Sequence, residues 1–317
     1  MSEYKDSRYR PGEGETLLSA GEQAEPAAPG PTKDAEASLW VDAWRALRRN
    51  PWFVFSAVLL VILLTMAFFP QLFTNTDPRE CLLSRSRQSP SAEHWFGTDV
   101  QGCDYYTRVI HGARNSIAIG FLVSAGVLVI AIVLGLVAGY FRSWVDALIS
   151  RFTDMVFAIP YILAALVFLN VIEDRGVAEV SAVLIVFTWP TMARLMRGSV
   201  LSVVNSEYVM AARALGAGHV TIMRRHILPN SLGPVIGYAT VFVGIIIGAE
   251  ATLTFLGVGL QLPAISWGLQ LQQAQPYLQQ FPHLIVFPLI FVGLTVFAFM
   301  TLGDAIRDAI DPKSKKK

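Results

Sequence analysis

PWFVFSAVLLVILLTMAFFP, Pro51 to Pro70, runs for twenty residues without one charged side chain. A bilayer core about 30 Å thick is crossed by roughly 20 apolar residues in a helix, and this stretch has that length. Arg45, Arg48 and Arg49 stand just ahead of it, and it lies too far into the chain to read as a removed signal peptide. It is expected to stay as an anchor.

Five further runs of the same kind follow, roughly Ser116 to Tyr140, Phe152 to Ile172, Val177 to Met196, Leu232 to Gly257 and Leu284 to Leu302. In lipid each satisfies its own backbone polar groups as a helix. The predicted fold is all-α, a polytopic membrane protein with six transmembrane helices. Composition agrees: 53% of the 317 residues are hydrophobic and 15% charged, whereas soluble domains carry about 25% charged residues. Mean hydropathy is +0.48. Of the 25 Lys and Arg, 19 fall in segments on the side of the N-terminus and 6 on the other. Basic residues concentrate on the cytoplasmic side, so both termini are expected there. The ending KSKKK, Lys313 to Lys317, suits that side, either against anionic lipid or as a plain solvated end.

Residues 1–38 are rich in Glu, Pro, Gly and Ala and poor in bulky apolar side chains, the composition of a disordered cytoplasmic tail. Between Leu39 and Asn50, Leu39, Trp40, Val41, Trp44 and Leu47 oppose Arg45, Arg48 and Arg49. This is either a short amphipathic helix at the interface or the start of the first span. The loop Gln71 to Asn115 is longer than a connection requires and holds both cysteines, Cys81 and Cys103. Facing an oxidising compartment, they are expected to form a disulfide closing a 23-residue segment rather than stay free.

Motifs of catalysis are missing. His94, His111, His219, His226 and His283 are scattered, and there is no CxxC or HExxH, so no metal site is expected. Without GxxxxGK[ST] the chain holds no P-loop nucleotide, and no local Ser, His and Asp set marks a catalytic centre. Gly135/Gly139 and Gly244/Gly248 have the GxxxG spacing that permits close helix contact in lipid. Pro160 and Pro190 fall inside the third and fourth expected spans, where they free carbonyls and kink helices. Asp154 sits near the start of the third span, where a carboxylate complements the helix N-terminus. Glu250, deep in the fifth, has two open readings: a gate or path residue, or a buried, hydrogen-bonded structural one.

EYVMAARALGAGHVTIMRRHILPN, Glu207 to Asn230, is the long polar interval between the fourth and fifth spans. Ser206 is placed to cap a helix, with Tyr208, Ala212 and Leu215 on one stripe and a break at Gly216 or Gly218. A second helix is expected from Val220, Met223 and Ile227, with Arg224 and Arg225 on another face and Pro229 ending it. Two short amphipathic helices would then lie flat beneath the membrane, with Ala211 and Ala212 keeping one surface slim enough to enter a groove on a partner.

This interval resembles the EAA motif of the inner-membrane permeases of binding-protein-dependent ABC importers. Ala211, Ala212 and Gly216 stand at matching places, and Pro229 follows Gly216 by thirteen residues. The motif's Glu falls at Met210 and its Ile at His226, so Glu207 or Arg213 is the nearest charged contact. HWFGTDVQGCDYYTRVIHGARNS, His94 to Ser116, is similar to the segment ahead of the second span in C-type dipeptide, oligopeptide and nickel permeases. There Cys103 replaces an expected Arg and Thr107 a Ser. EATLTFLGVGLQLPAISWG, Glu250 to Gly268, resembles the same group.

The resemblance implies the transmembrane domain of a type I ABC importer in a bacterial cytoplasmic membrane. It divides the chain into a region at 39–112, a permease domain at 113–304 and a basic tail at 305–317. It also implies a homologous second permease, two ATP-binding subunits and an external solute-binding protein, with lipid around them and no nucleic acid. ATP and Mg would belong to the ATPase subunits, leaving this chain without cofactor or catalysis. Glu207, Ala211, Ala212, Arg213, Gly216 and Pro229 would couple it to them. The uncharged stretch Gln261 to His283 would dip towards the path or dock the delivery protein. Peptides are the expected cargo and nickel chelates the alternative. A secondary transporter driven by an ion gradient would show more spans or intramembrane charges, and an intramembrane enzyme would show paired acids or metal ligands inside the spans.

Overall fold

The computed structural model describes residues 44, 45 and 47–310. The tail 1–38, part of the interfacial segment and residues 311–317 lie outside the described residues. Residues 47–49 are helical, and extended backbone at Asn50 (ψ 113°) separates them from the first span, which starts at Pro51.

From Pro51 on, the described residues form nine helices: α1 (Pro51–Phe68), α2 (Tyr105–Phe141), α3 (Ser143–Phe157), α4 (Tyr161–Val171), α5 (Val177–Val203), α6 (Glu207–Ala214), α7 (His219–Phe255), α8 (Trp267–Ala274) and α9 (His283–Ile310), besides short 3-10 turns. Their starts follow local chemistry. Asn50 Oδ1 accepts from the Trp52 N–H at 3.0 Å with Pro51 at the first helical position, so the orphan donors of α1 are met. Asp104 Oδ2 does the same for α2 at the Thr107 N–H, 2.9 Å away. With 37 residues each, α2 and α7 are about 56 Å long, far beyond the bilayer core, so both carry the fold past the membrane.

α2 and α7 also share both apolar cores. One core joins α2, α5 and α7 around Val127, Leu184, Met192 and Ile246; the other joins α1, α2, α7 and α9 around Leu63, Ile117, Ile247 and Phe299. Glycine sets the closeness of the α2–α5 contact. A Cβ at Gly135 would lie 2.7 Å from Met196 Cβ and 2.8 Å from the Ala193 carbonyl, and one at Gly139 would lie 2.7 Å from Val200 Cβ. Of the second glycine pair, Gly244 meets Phe299 at 3.1 Å on α9, while Gly248 is looser.

The third expected span is not one straight helix. α3 and α4 meet at a 74° bend over residues 158–160, and α4 alone, at eleven residues, is too short to cross. Pro160 has no N–H to continue the ladder and disfavours helical backbone at Ile159, so the break falls there. Among the described residues five helices therefore have spanning length and apolarity, six where the bent pair counts as one broken span rather than a re-entrant loop. Pro190, in contrast, sits buried inside an unbroken α5. α9 runs past the expected end at Leu302 to Ile310, making helical the first part of the segment expected as a tail.

Candidate functional site

The loop between α5 and α7 leaves the bundle. Ser206 occupies the cap position of α6, but its Oγ turns back to the Val203 carbonyl, and its own carbonyl accepts from the Val209 and Met210 N–H groups instead. Val209 is the residue that α6 buries; Glu207, Ala211, Arg213 and Gly216 are exposed, and Ala212 is half-buried. The stripe expected from Tyr208, Ala212 and Leu215 faces outward, with Leu215 88% exposed. Gly216 adopts φ +80°, the left-handed turn that closes helix C-termini.

A second flat helix does not form. Val220, Met223 and Ile227 belong to the first turns of α7, which continues through Pro229 to Phe255. The physical reason is a π turn at Met223–Ile227, where the Leu228 N–H reaches back five residues to the Met223 carbonyl. This wider turn relaxes the ladder just before a residue that cannot donate, so Pro229 is absorbed rather than ending the helix. α6 packs against this turn, bringing 207–216 beside the base of α7 where Pro229 is exposed. His219, which periodicity did not single out, ties the base to α2: its Nδ1 is 2.8 Å from Tyr140 Oη.

Glu250 is 0% exposed. Its Oε1 accepts from Thr254 Oγ1 at 2.9 Å and from Ser266 Oγ at 3.4 Å. Ser266 caps α8 through the Leu269 N–H at 3.2 Å, and Ser116 of α2 accepts from the Trp267 N–H at 3.3 Å. The carboxyl thus sits where α2, α7 and α8 meet. The carboxyl has no exposed surface within this chain, and its Oε2 is buried without a hydrogen-bond partner. Part of the uncharged stretch does dip into the bundle: Trp267 Nε1 donates to the Val109 carbonyl at 2.9 Å and Gln270 Nε2 to the Arg108 carbonyl at 2.7 Å, both buried.

Residues 71–104 fold over this end. Cys81 and Cys103 are bonded to each other, and the same pair forms a short antiparallel bridge, with another from Thr98 to Asp104. Behind them Arg108 of α2 makes a buried ion pair with Asp99 and also reaches Gln101 Oε1 at 3.2 Å. Sequence reasoning missed this pair, because Asp99 and Arg108 are nine residues apart across the turn at Asp104. Arg87 stacks its guanidinium 5.0 Å above Tyr277 and 5.7 Å from Phe281, latching the loop to the turn before α9.

Asp154 is not at a helix start. It lies three residues before the end of α3 and pairs with Arg194 of α5 at 2.7 Å, while Asp146 holds the first turn. Asp146 receives Arg197 in a fork, Nε to Oδ1 and Nη2 to Oδ2, both at 2.6 Å.

A family model described as "Binding-protein-dependent transport system inner membrane component" matches residues 131–316. A second, "N-terminal TM domain of oligopeptide transport permease C", matches residues 38–90. The dipeptide transport system permease protein DppC of Alkalihalophilus pseudofirmus is 39% identical over 292 residues, 92% of this chain and 96% of that protein. The glutathione permease GsiD of Pectobacterium atrosepticum is 37% identical over 87% of this chain and 92% of its own length. The oligopeptide permease OppC of Bacillus subtilis is 35% identical over 88% and 91%. Among solved structures, a chain of the methionine ABC transporter MetNI in inward-facing conformations matches with TM-score 0.54 and 21% identity, over 64% of this chain and 96% of that one, a likeness of fold.

Proposed function

The chain belongs to the binding-protein-dependent transport system inner membrane components, the permease subunits of ABC importers, and from that premise we propose that it carries di- and oligopeptides inward across the cytoplasmic membrane. It is the non-catalytic membrane component; ATP hydrolysis belongs to separate subunits. The observation that carries the coupling assignment is the exposed α6: an apolar stripe with small Ala211 beside it, outside the bundle and closed by Gly216. An exposed apolar stripe of this kind marks a partner surface.

The proposed arrangement pairs this subunit with a homologous permease, so that the two enclose the path. Both termini and α6 face the cytoplasm, where two ATP-binding subunits grip Glu207, Ala211, Ala212, Arg213 and Gly216, with Pro229 beside them. The disulfide-closed loop 71–104 faces the delivering solute-binding protein. Nucleotide-driven closure of the ATPases displaces α6, and the spans alternate between inward-open and outward-open states because the partners contact the two states differently. Residues 39–112 act as the lead-in to a permease domain at 113–304. Glu250 serves as the anchor of α8 rather than as a gate.

The test is purification by a tag on this chain and reconstitution in nanodiscs with its associated subunits. ATP hydrolysis stimulated by binding protein loaded with dialanine or trialanine is expected, and Gly216→Pro should abolish that stimulation while the subunit still inserts. Stimulation by nickel chelate alone would replace the peptide assignment, and unchanged coupled hydrolysis in Gly216→Pro would remove the lever role of the loop.

A further inference from the structure

α3 is almost detached from the bundle. Of its fifteen residues only Thr153 is buried, and Trp144, Leu148, Phe152 and Met155 are exposed. Between it and the α2–α5 pair lies a cleft of about 320 Å³ floored by Gly135, Ala138 and Ala193. Only Thr153, Val156 and the Phe152 ring touch the buried core, so few side chains seat α3. It is held to α5 at discrete points that run antiparallel along the two helices. Asp146 meets Arg197 through the two 2.6 Å bonds of the fork, with Ser150 Oγ adding a bond to Asp146 Oδ1 at 3.2 Å. Asp154 meets Arg194 at 2.7 Å, and the Arg194 guanidinium also lies 4.2 Å over the Phe157 ring. Phe152, between the two acids on α3, also stacks on Trp189, which precedes both arginines on α5, centroids 5.8 Å apart.

Asp146, Ser150 and Asp154 are spaced by four, hence on one face of α3, and Arg194 and Arg197 by three on one face of α5. A planar fork on a carboxylate fixes direction as well as distance. Partly exposed pairs contribute little to stability, so their value here is geometric. Placement gives that geometry a use, because the C-terminal end of α5 leads directly into α6, while the C-terminal end of α3 leads directly into the 74° bend and α4.

We propose that Asp146–Arg197 and Asp154–Arg194 are positioning pairs that make α3 and α5 move as one body, so that a displacement of α6 is delivered through α3 to the bend at 158–160 and to α4. This rests on the permease reading. It adds four residues outside the coupling loop to the path by which that loop reaches the membrane-embedded part. The bend is the compliant point, since its broken ladder offers the least resistance.

The experiment uses the reconstituted complex with spin labels at Arg151→Cys on α3 and Ser202→Cys on α5, both exposed; Cys81 and Cys103, bonded to each other, take no label. A single narrow interhelix distance is expected, identical without nucleotide and after trapping with ATP and vanadate. Asp146→Ala with Asp154→Ala should broaden the distribution and lower peptide-stimulated hydrolysis by about tenfold, within the range of coupling energies between sites, with basal hydrolysis retained. With Asp154→Ala in place, Asp146→Arg alone should broaden the distance and the charge exchange Asp146→Arg with Arg197→Asp should restore it, which a merely structural contribution of either side chain would not predict. A distance that shifts on trapping in the unsubstituted pairs, or one that stays narrow in the double alanine variant, overturns the proposal. If no ATPase accompanies the chain, the permease reading fails, and the width of the distance still decides whether the clamp exists.

Discussion

Asp99 and Arg108 face each other in a buried ion pair, 3% and 5% exposed, at the point where the disulfide-closed loop meets the first turns of α2. Taking both charges out of water is costly, and removing one partner leaves the other uncompensated. Arg108→Met should lower stability by about 3–5 kcal/mol. The double change Asp99→Asn with Arg108→Met should recover most of that loss. Thermal unfolding of the purified protein in detergent measures both, and equal losses in the single and double variants would refute the pairing argument.

The Cys81–Cys103 bond closes a 23-residue segment, for which loop entropy predicts about 3 kcal/mol of constraint. In oxidised protein, trypsin should leave Arg85 and Arg87 uncut, the latter held over Tyr277. After reduction, or in Cys81→Ser with Cys103→Ser, cleavage there should speed up severalfold. Identical digestion rates with and without reductant would show that the loop is held by its other contacts.

Gly216 has φ +80° and no atom within 4 Å of where a Cβ would stand, so substitution there is penalised by backbone conformation and not by crowding. Asn, which tolerates the left-handed region, should keep most of the coupled hydrolysis. Val, stiff at its branched Cβ, should lose most of it. The ranking Gly, Asn, Ala, Val in stimulated ATP hydrolysis checks this, and a ranking by side-chain volume alone would contradict it.

Gly135 and Gly139 leave no room for a methyl group against Met196, Ala193 and Val200. Gly135→Ala should destabilise by about 1–3 kcal/mol through forced separation of α2 from α5. Gly198, whose Cβ direction is open, should accept alanine without loss. Melting temperatures of the two variants compare a crowded and an open glycine in one fold.

Glu250→Gln keeps an acceptor for Thr254 and Ser266, so stability and transport should both survive. Glu250→Leu strands those hydroxyls and should cost about 1–3 kcal/mol. A Gln variant that is fully stable but inactive in peptide uptake would return the carboxyl to the translocation path.

The spans at α1, α2, α5, α7 and α9 were legible because length and apolarity alone decide a crossing. Their true ends were not, since α2 and α7 continue as helices into polar sequence where hydropathy is silent and only capping decides. At Pro160 and Pro229 the same residue type had opposite outcomes, a 74° bend in one case and an unbroken helix in the other. What distinguishes them is whether the preceding turn widens, a cooperative choice invisible to a residue-by-residue scan. The helix at Glu207–Ala214 and its break at Gly216 were legible, but the outward aim of the apolar stripe depends on packing against the base of α7. The Asp–Arg pairs joining α3 to α5 are fifty-one and forty residues apart in sequence, a separation at which no local pattern links them.

The π turn at Met223–Ile227 holds one residue more than an α-helical turn would. Because each residue turns the helix by about 100°, that single insertion sets the compass bearing of the first turn of α7 and of α6 packed against it. Removing one residue from 223–227 would leave the apolar length of α7 and the side chains of α6 unchanged yet swing α6 roughly a quarter-circle away. The direction in which the loop presents its surface is thus held by one backbone turn and not by the surface itself.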